Sequence, residues 1–357
     1  MPLREHAERL RPYLRGKWLH ILVGASISVG LTWLVLRSIH WADVGEAFRT
    51  FPVGLMLIAL IPLVLSMLLR SARWHVLLKG ERASLRQVFL TQSTGIGLNN
   101  LLPVRMVSEP VQLAIITVRY RVPFPVALAS LLAGNVMDII ASATLLAVGV
   151  TLTPGLRGVF GGILVGGMAL AALSMVIFFV AARGLSALPF AKGIHFFQQL
   201  SIALAMQRRK PGRLALSFLA TLGHWLLLGL AAWIIGRGMG MDVSLLFMAT
   251  LMAATTFFIA AVPSLPGAVG TFEFAMVFIL ERVGVDSAPA LSLALVMHAL
   301  IFLPTSVIAL GMLSRYGSGF IKRASGGGKD RDFGSFLSSA TPSGASGDEA
   351  DQHLVHR

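Results

Sequence analysis

Four ionisable side chains stand where this chain is otherwise too apolar for water. Arg105 and Glu109 lie in the break Asn99-Asn100-Leu101-Leu102-Pro103-Val104-Arg105-Met106-Val107-Ser108-Glu109-Pro110. Glu273 closes a second break, Val262-Pro263-Ser264-Leu265-Pro266-Gly267-Ala268-Val269-Gly270-Thr271-Phe272-Glu273. Asp138 falls inside an apolar run from Phe124 to Leu152. A charged group at membrane depth costs on the order of 2.5–3.5 kcal/mol even on lenient insertion scales, so each is a functional candidate by default. Glu109, Asp138 and Glu273 are the candidate proton carriers. Arg105 has two roles open to it, neutralising Glu109 or gripping a phosphate bidentately.

The breaks have a chemistry of their own. Each precedes a helical run. Pro110 suits a first helical position, because the N–H it lacks has no partner there anyway. Thr271 is placed to cap the run that holds Glu273. Unpaired N–H groups and the positive end of the helix dipole favour anions, so Glu109 and Glu273 either satisfy these helix starts or compete there with an anionic ligand. The plainer reading is that both glutamates are structural caps. Asn135, Asp138 and Ser142 share one helix face by their spacing, which turns a polar stripe inward. His298, with Thr305 one heptad on, occupies the corresponding run of the second half; His224 shares a face with Thr221. For the histidines, an interhelical hydrogen bond is the simple expectation. The arm Thr91-Gln92-Ser93-Thr94-Gly95 is too polar for lipid and must line protein or water.

No nucleophile elbow, P-loop, dinucleotide fingerprint or metal-ligand spacing is present, so no catalytic residue, metal or cofactor is expected. The chain has no cysteine, which removes disulfides and thiolate chemistry. Without an ATP site, any transport runs downhill or on an ion gradient.

These residues need helices to hold them. Of 357 residues, 55% are apolar and 13% charged, against about 25% charged in soluble domains. The fold class is an all-α polytopic membrane protein. Six runs are predicted to span: 18–36, 52–69, 124–152, 159–182, 214–235 and 288–313. With the N-terminus cytoplasmic, most of the 30 lysines and arginines fall inside, including Arg70 and Arg73 in a loop after the second span. Only Arg37, Arg49, Arg157, Arg237 and Arg282 fall outside. The net charge of +14 is thus explained by topology, and no nucleic-acid partner is implied. The segments carrying the two breaks each begin and end on one side. They read as two oppositely oriented broken-helix hairpins with the breaks at their tips, one entering from the cytoplasm and one from outside. Two spans, a hairpin and one more span then recur in each half, an inverted-topology repeat such as secondary transporters use. Residues 1–17 form a basic cytoplasmic N-terminus. Residues 18–316 form the membrane domain, with repeat one at about 18–152 and repeat two at about 159–316. Residues 317–357 read as a disordered cytoplasmic tail. Phe196, Phe197, Leu200 and Leu204 fall at helical spacing in a cytoplasmic stretch, as an interfacial or a plain loop helix would place them.

The quoted motifs resemble the flippase-like transmembrane family typified by the membrane region of lysylphosphatidylglycerol synthase. The resemblance covers roughly residues 15–320. It rests on Asn99, Pro103 and Glu109, on Asp138, and above all on Leu265-Pro266-Gly267-Ala268-Val269-Gly270-Thr271-Phe272-Glu273. Three features depart from the family pattern. Ser108 and Gln112 stand where a glycine and an arginine are usual, Gly134-Asn135 replaces a Glu-Arg pair, and no aminoacyltransferase domain is seen. The placement of lysine and arginine sets both termini in the cytoplasm. The resemblance implies a bacterial inner-membrane protein translocating an anionic or otherwise modified phospholipid. Residue chemistry alone offers Arg105, Asn135 and His298 as ligand-binding residues; the resemblance implies Asn99, Glu109, Asp138, Gly267, Gly270, Thr271 and Glu273. It also implies a chain that does not make a lysyl-lipid by itself.

Two other readings remain open at the level of sequence. One is a non-transporting accessory protein of a glycosyltransferase or lipid-modifying enzyme, docked through the basic loops. The other is a membrane-embedded transferase using Asp138 or Glu109. No motif demands an oligomer.

Overall fold

The computed structural model describes residues 25–37, 41–50, 52–78, 80–102, 107–184, 195–262 and 264–325. The basic N-terminus predicted at 1–17, Arg105, and the tail beyond 325 lie outside them. Among the described residues the elements are all helices. In chain order they are α1 (Ala25–Leu36), α2 (Trp41–Thr50), α3 (Val53–Leu77), α4 (Leu85–Leu101), α5 (Ser108–Ala114), α6 (Phe124–Leu152), α7 (Pro154–Gly184), α8 (His195–Arg208), α9 (Pro211–Gly238), α10 (Leu245–Ala261), α11 (Thr271–Glu281) and α12 (Ser287–Ser325). A π-helical turn (Ile115–Arg119) extends α5, and a 3₁₀ turn (Pro266–Ala268) precedes α11.

Among the described residues, four stretches are long and apolar enough to cross a membrane: Gly54–Leu77, Phe124–Leu152, Pro211–Gly238 and Ser287–Arg315. The other two expected spans correspond to α1, whose predicted start lies outside the described residues, and to α7, which runs Pro154–Gly184 and holds the apolar stretch Val165–Ala181. Proline sets several starts. Pro125 and Pro211 lie in the first turns of α6 and α9, where a missing N–H costs nothing. α12 runs on to Ser325, past Gly317, where the sequence predicts the tail to begin.

The surface is that of a lipid-facing protein. α7 exposes Val165, Leu173, Val176 and Val180, and α3 exposes Leu57, Ile61 and Val64. Apolar faces of that extent need lipid or a partner against them. Inside, α3 packs along α9, and α10 lies against α9 and α6. The largest core joins Leu63, Trp225, Leu228, Met248, Met252, Phe272 and Met276. Small residues permit the tightest approaches: a Cβ at Gly229 would lie 2.4 Å from the Ala249 Cα, and one at Gly97 would lie 2.1 Å from the Thr305 carbonyl oxygen. α8 packs against α6 and α7 and buries Leu200 and Leu204. Its Gln207 amide donates to the Leu77 carbonyl at 2.8 Å, so this segment is tied into the bundle.

The two predicted breaks sit at the tips of two helical hairpins, α4–α5 and α10–α11. The long arms are alike. Each has 17 residues, is capped by a serine and ends in an extended residue, Leu102 or Val262. Ser84 Oγ accepts from the Gln87 N–H at 3.4 Å while the Gln87 side chain accepts from the Ser84 N–H at 2.8 Å, a reciprocal capping box. Ser244 Oγ accepts from the Phe247 N–H at 3.1 Å. The return arm α11 has 11 residues, well short of the ~20 that a crossing requires.

Two details differ from the sequence reading. α5 begins at Ser108, so Pro110 is its third residue rather than its first. α3 does not end at Leu69; it continues to Leu77 and carries Arg70 and Arg73 with it. Arg73 is 4% exposed, so it belongs to the packed interior and not to a loop.

Candidate functional site

The polar arm of α4 explains the interior. Thr91, Gln92, Ser93 and Thr94 are all buried, as a run that lipid cannot solvate must be. Thr91 and Thr94 hydroxyls donate to the carbonyls of Gln87 and Leu90 one turn back. Gln92 Oε1 accepts from Ser71 Oγ of α3 at 3.0 Å. Gln92 and Ser93, with Ile96, Asn99 and Asn100 further along α4, form one wall of a central cavity of about 210 Å³, far above the ~10–15 Å³ that admits a single water. Its other walls come from α3, α9, α10, α12 and the second break. Ser66 and Arg70, His224 and Trp225, Thr256, Gly267 and Phe302 stand among them. His224 Nδ1 donates to the Ser66 carbonyl at 3.0 Å, the interhelical bond expected of it.

The breaks meet at this cavity. Asn99 Oδ1 accepts from the Val107 N–H at 3.3 Å, spanning the first break. Asn100 Nδ2 donates to Thr305 Oγ1 of α12 at 3.2 Å. In the second break the Leu265 N–H donates to Ser28 Oγ of α1 at 2.8 Å, and Ser28 also bonds the Thr271 hydroxyl at 3.3 Å. A Cβ on Gly267 would lie 3.5 Å from the Asn100 carbonyl oxygen, so the two tips adjoin. Gly267, Ala268 and Gly270 all adopt positive φ, of 68°, 59° and 79°. Alanine in that region costs on the order of 1–3 kcal/mol, a strain that persists only where the surroundings enforce it.

Glu273 is held by its own helix start. The Gly270 N–H donates to its Oε2 at 2.7 Å, and its Oε1 is hydrogen-bonded to His298 Nδ1 of α12. The N-cap is therefore Gly270. The sequence reading assigned that place to Thr271, which instead is the first helical residue and bonds Ser28. The His298 ring lies 4.1 Å from that of Phe302, which does line the cavity.

Asp138 finds its cation on α3, with Arg73 Nη1 at 3.1 Å from its Oδ1. Arg73 also donates to Thr221 Oγ1 at 3.4 Å. A second, small pocket of about 20 Å³ lies beside this pair, lined by Arg70, Arg73, Gln92, Glu109, Gln112 and Asn135 among others. Arg70 and Gln92 belong to both spaces. The electrostatic neighbours of Arg70 are Asp138, Arg73 and Glu109.

The predicted residues thus separate into groups. Asn99 and Gly267 line the central cavity, while Glu109 and Asn135 line the small pocket. Asp138, Gly270, Thr271, Glu273 and His298 line neither; they hold the walls. Arg105 lies outside the described residues. Sequence reasoning missed Arg70, the cation that does line the cavity, and the pairing of Arg73 with Asp138. One signal was available: Ser66, Arg70 and Arg73 recur at helical spacing, and apolar sequence resumes at Trp74.

The family model for the lysylphosphatidylglycerol synthase TM region matches residues 21–309, most of the chain, and the protein belongs to that family. Comparison with curated proteins finds no match.

Proposed function

We propose that this member of the lysylphosphatidylglycerol synthase TM-region family translocates a lipid, and that the central cavity receives its head group. The observation that supports this best is the cavity itself. A chamber of mixed lining, where Arg70, Gln92, Asn99, Asn100 and His224 stand among apolar side chains, lies between the tips of two helix breaks, and lipid-facing apolar helices surround it. Polar and broken backbone at membrane depth is tolerated where it lines a cavity, and such breaks mark transporter sites. The matching construction of the two long arms, each serine-capped and 17 residues long, supports an inverted repeat whose hairpins enter from opposite faces. Rocking one repeat against the other would then expose the cavity to each side in turn. No covalent chemistry is needed for this activity.

The test is translocation in proteoliposomes, run with head-group-labelled phospholipids and with or without a proton gradient. Thr256→Trp, which fills the cavity, should abolish transport at matched abundance. Glu273→Gln should lower abundance rather than the rate per molecule, because its carboxylate caps α11. If no lipid class moves under either condition, the reading fails in favour of an accessory protein for a lipid-modifying enzyme or glycosyltransferase.

A further inference from the structure

We infer that the central cavity opens to water through the small pocket beside it, and that Arg70 and Gln92 are the gate between the two spaces. The inference rests on the translocation reading of the same cavity and names the route by which water and a polar head group reach it.

Among the described residues, Arg70 and Gln92 are the two that line both spaces. Along α3 the cavity is lined by Ser66, Arg70 and Ser71, and the pocket by Arg70, Arg73 and Trp74. The pocket therefore lies about one helical turn nearer the end of α3 at Leu77. That is the end where α4 starts, and the side on which lysine and arginine set the cytoplasm. Glu109, another wall of the pocket, is exposed, and an exposed carboxylate needs water rather than lipid beside it. The pocket measures about 20 Å³, enough for one water with polar partners around it. What parts it from the cavity is a pair of polar side chains.

Each half of the gate has its own latch. Gln92 Oε1 accepts from Ser71 Oγ at 3.0 Å. Arg70 has Asp138 and Glu109 as neighbours of opposite charge, and both belong to the pocket side: Glu109 as a wall, Asp138 through its pair with Arg73. Among the described residues no aspartate or glutamate lines the cavity, so the pull on the guanidinium runs toward the pocket. Arginine and glutamine sit on flexible stems, and their swing asks for rotamer changes rather than helix movement. Once parted, their polar ends turn to water, which satisfies them. The cavity's boundary at the second break is of another kind. Ile259, Phe272, Ile301 and Phe302 close it there, with the two phenyl rings edge to face at 6.0 Å. Parting those side chains would expose apolar surface, which is unfavourable in proportion to its area. The polar boundary is the one that opens first.

The chain has no cysteine, so single reporters can be placed in it. Thr256→Cys puts one on the far wall of the cavity, and Ser292→Cys puts one in the core, at a fully buried position off the route. The purified full chain in maltoside micelles is treated with a small anionic methanethiosulfonate, and intact-mass spectrometry follows the labelling rate. That rate is proportional to the fraction of time the gate is open, and a minor open state is populated to about 10% or less. Arg70→Ala with Gln92→Ala should therefore raise the rate at Thr256→Cys about tenfold or more. Glu109→Gln, at an exposed position, should raise it by a smaller factor, because it loosens Arg70 alone. Neither change should alter the rate at Ser292→Cys. An unchanged rate at Thr256→Cys in the gate variants would overturn the inference. So would a parallel rise at Ser292→Cys, which would mean that the whole bundle had loosened. Access governed by Arg70 and Gln92, with no lipid translocated in proteoliposomes, would sink the transport reading alone. Translocation with access indifferent to both residues would sink this inference alone.

Discussion

Arg73 of α3 and Asp138 of α6 face each other at 3.1 Å, and Arg73 is 4% exposed. This contact joins the helix that carries the cavity's cation to the helix whose polar stripe the sequence made conspicuous. Removing one partner of a buried pair strands the other. Arg73→Met is therefore expected to destabilise by about 3–5 kcal/mol, while the double replacement with Asp138→Leu should recover much of the loss. A double-mutant cycle on thermal unfolding in detergent measures this. A coupling energy near zero would show that the two charges are held independently.

Gly270 and Gly240 have nearly the same backbone, with φ of 79° and 77°. Their surroundings differ. A Cβ at Gly270 would fall 1.9 Å from Thr32 Oγ1 and 2.8 Å from the Ser28 carbonyl oxygen, whereas nothing lies within 4 Å of one at Gly240. Gly240→Ala should cost only the conformational part, about 1–2 kcal/mol. Gly270→Ala should cost clearly more and lower the yield of folded protein, because backbone as well as a side chain must shift. Equal melting temperatures for the two variants would mean that α1 does not press on the second break as described.

Asn100 and Thr305 connect the first break to α12 at 3.2 Å. The chain has no cysteine of its own, so Asn100→Cys with Thr305→Cys gives a clean pair for a short bis-thiosulfonate linker. If transport requires the break to part from α12, linking should lower translocation about tenfold or more, equivalent to at least ~1.4 kcal/mol on the barrier. Reduction should restore it. Full activity of the linked protein would show that this junction stays closed throughout the cycle.

Much of the architecture was legible in the sequence. α6 spans Phe124–Leu152, the predicted bounds, because prolines punctuate both of its ends. The breaks were legible for the same reason, and Thr91–Thr94 were legible because lipid cannot satisfy them. Arg70 and Arg73 were not. An arginine near the end of an apolar run reads as a loop charge under the positive-inside rule, and only the approach of α6 shows that Arg73 has a buried partner. The sequence reading gave Asp138 no cation, because it set Arg105 against Glu109 or a phosphate and left Arg73 in a loop. The N-cap at Gly270 was hidden differently. Positive φ leaves no trace in an apolar pattern, so Thr271, a better capping residue by type, took its place in the reading.

The anchoring of the two breaks is reciprocal: the first is tied by Asn100 to Thr305 near the chain's end, the second by Leu265 and Thr271 to Ser28 near its beginning. Each half therefore carries the lock for the other's key. A chimera that takes only one half from a distant relative would inherit mismatched locks at both tips, even if every helix in it folded. Drift at Ser28 or Thr305 is constrained by residues more than two hundred positions away in the chain, and the halves are bound to diverge as a pair.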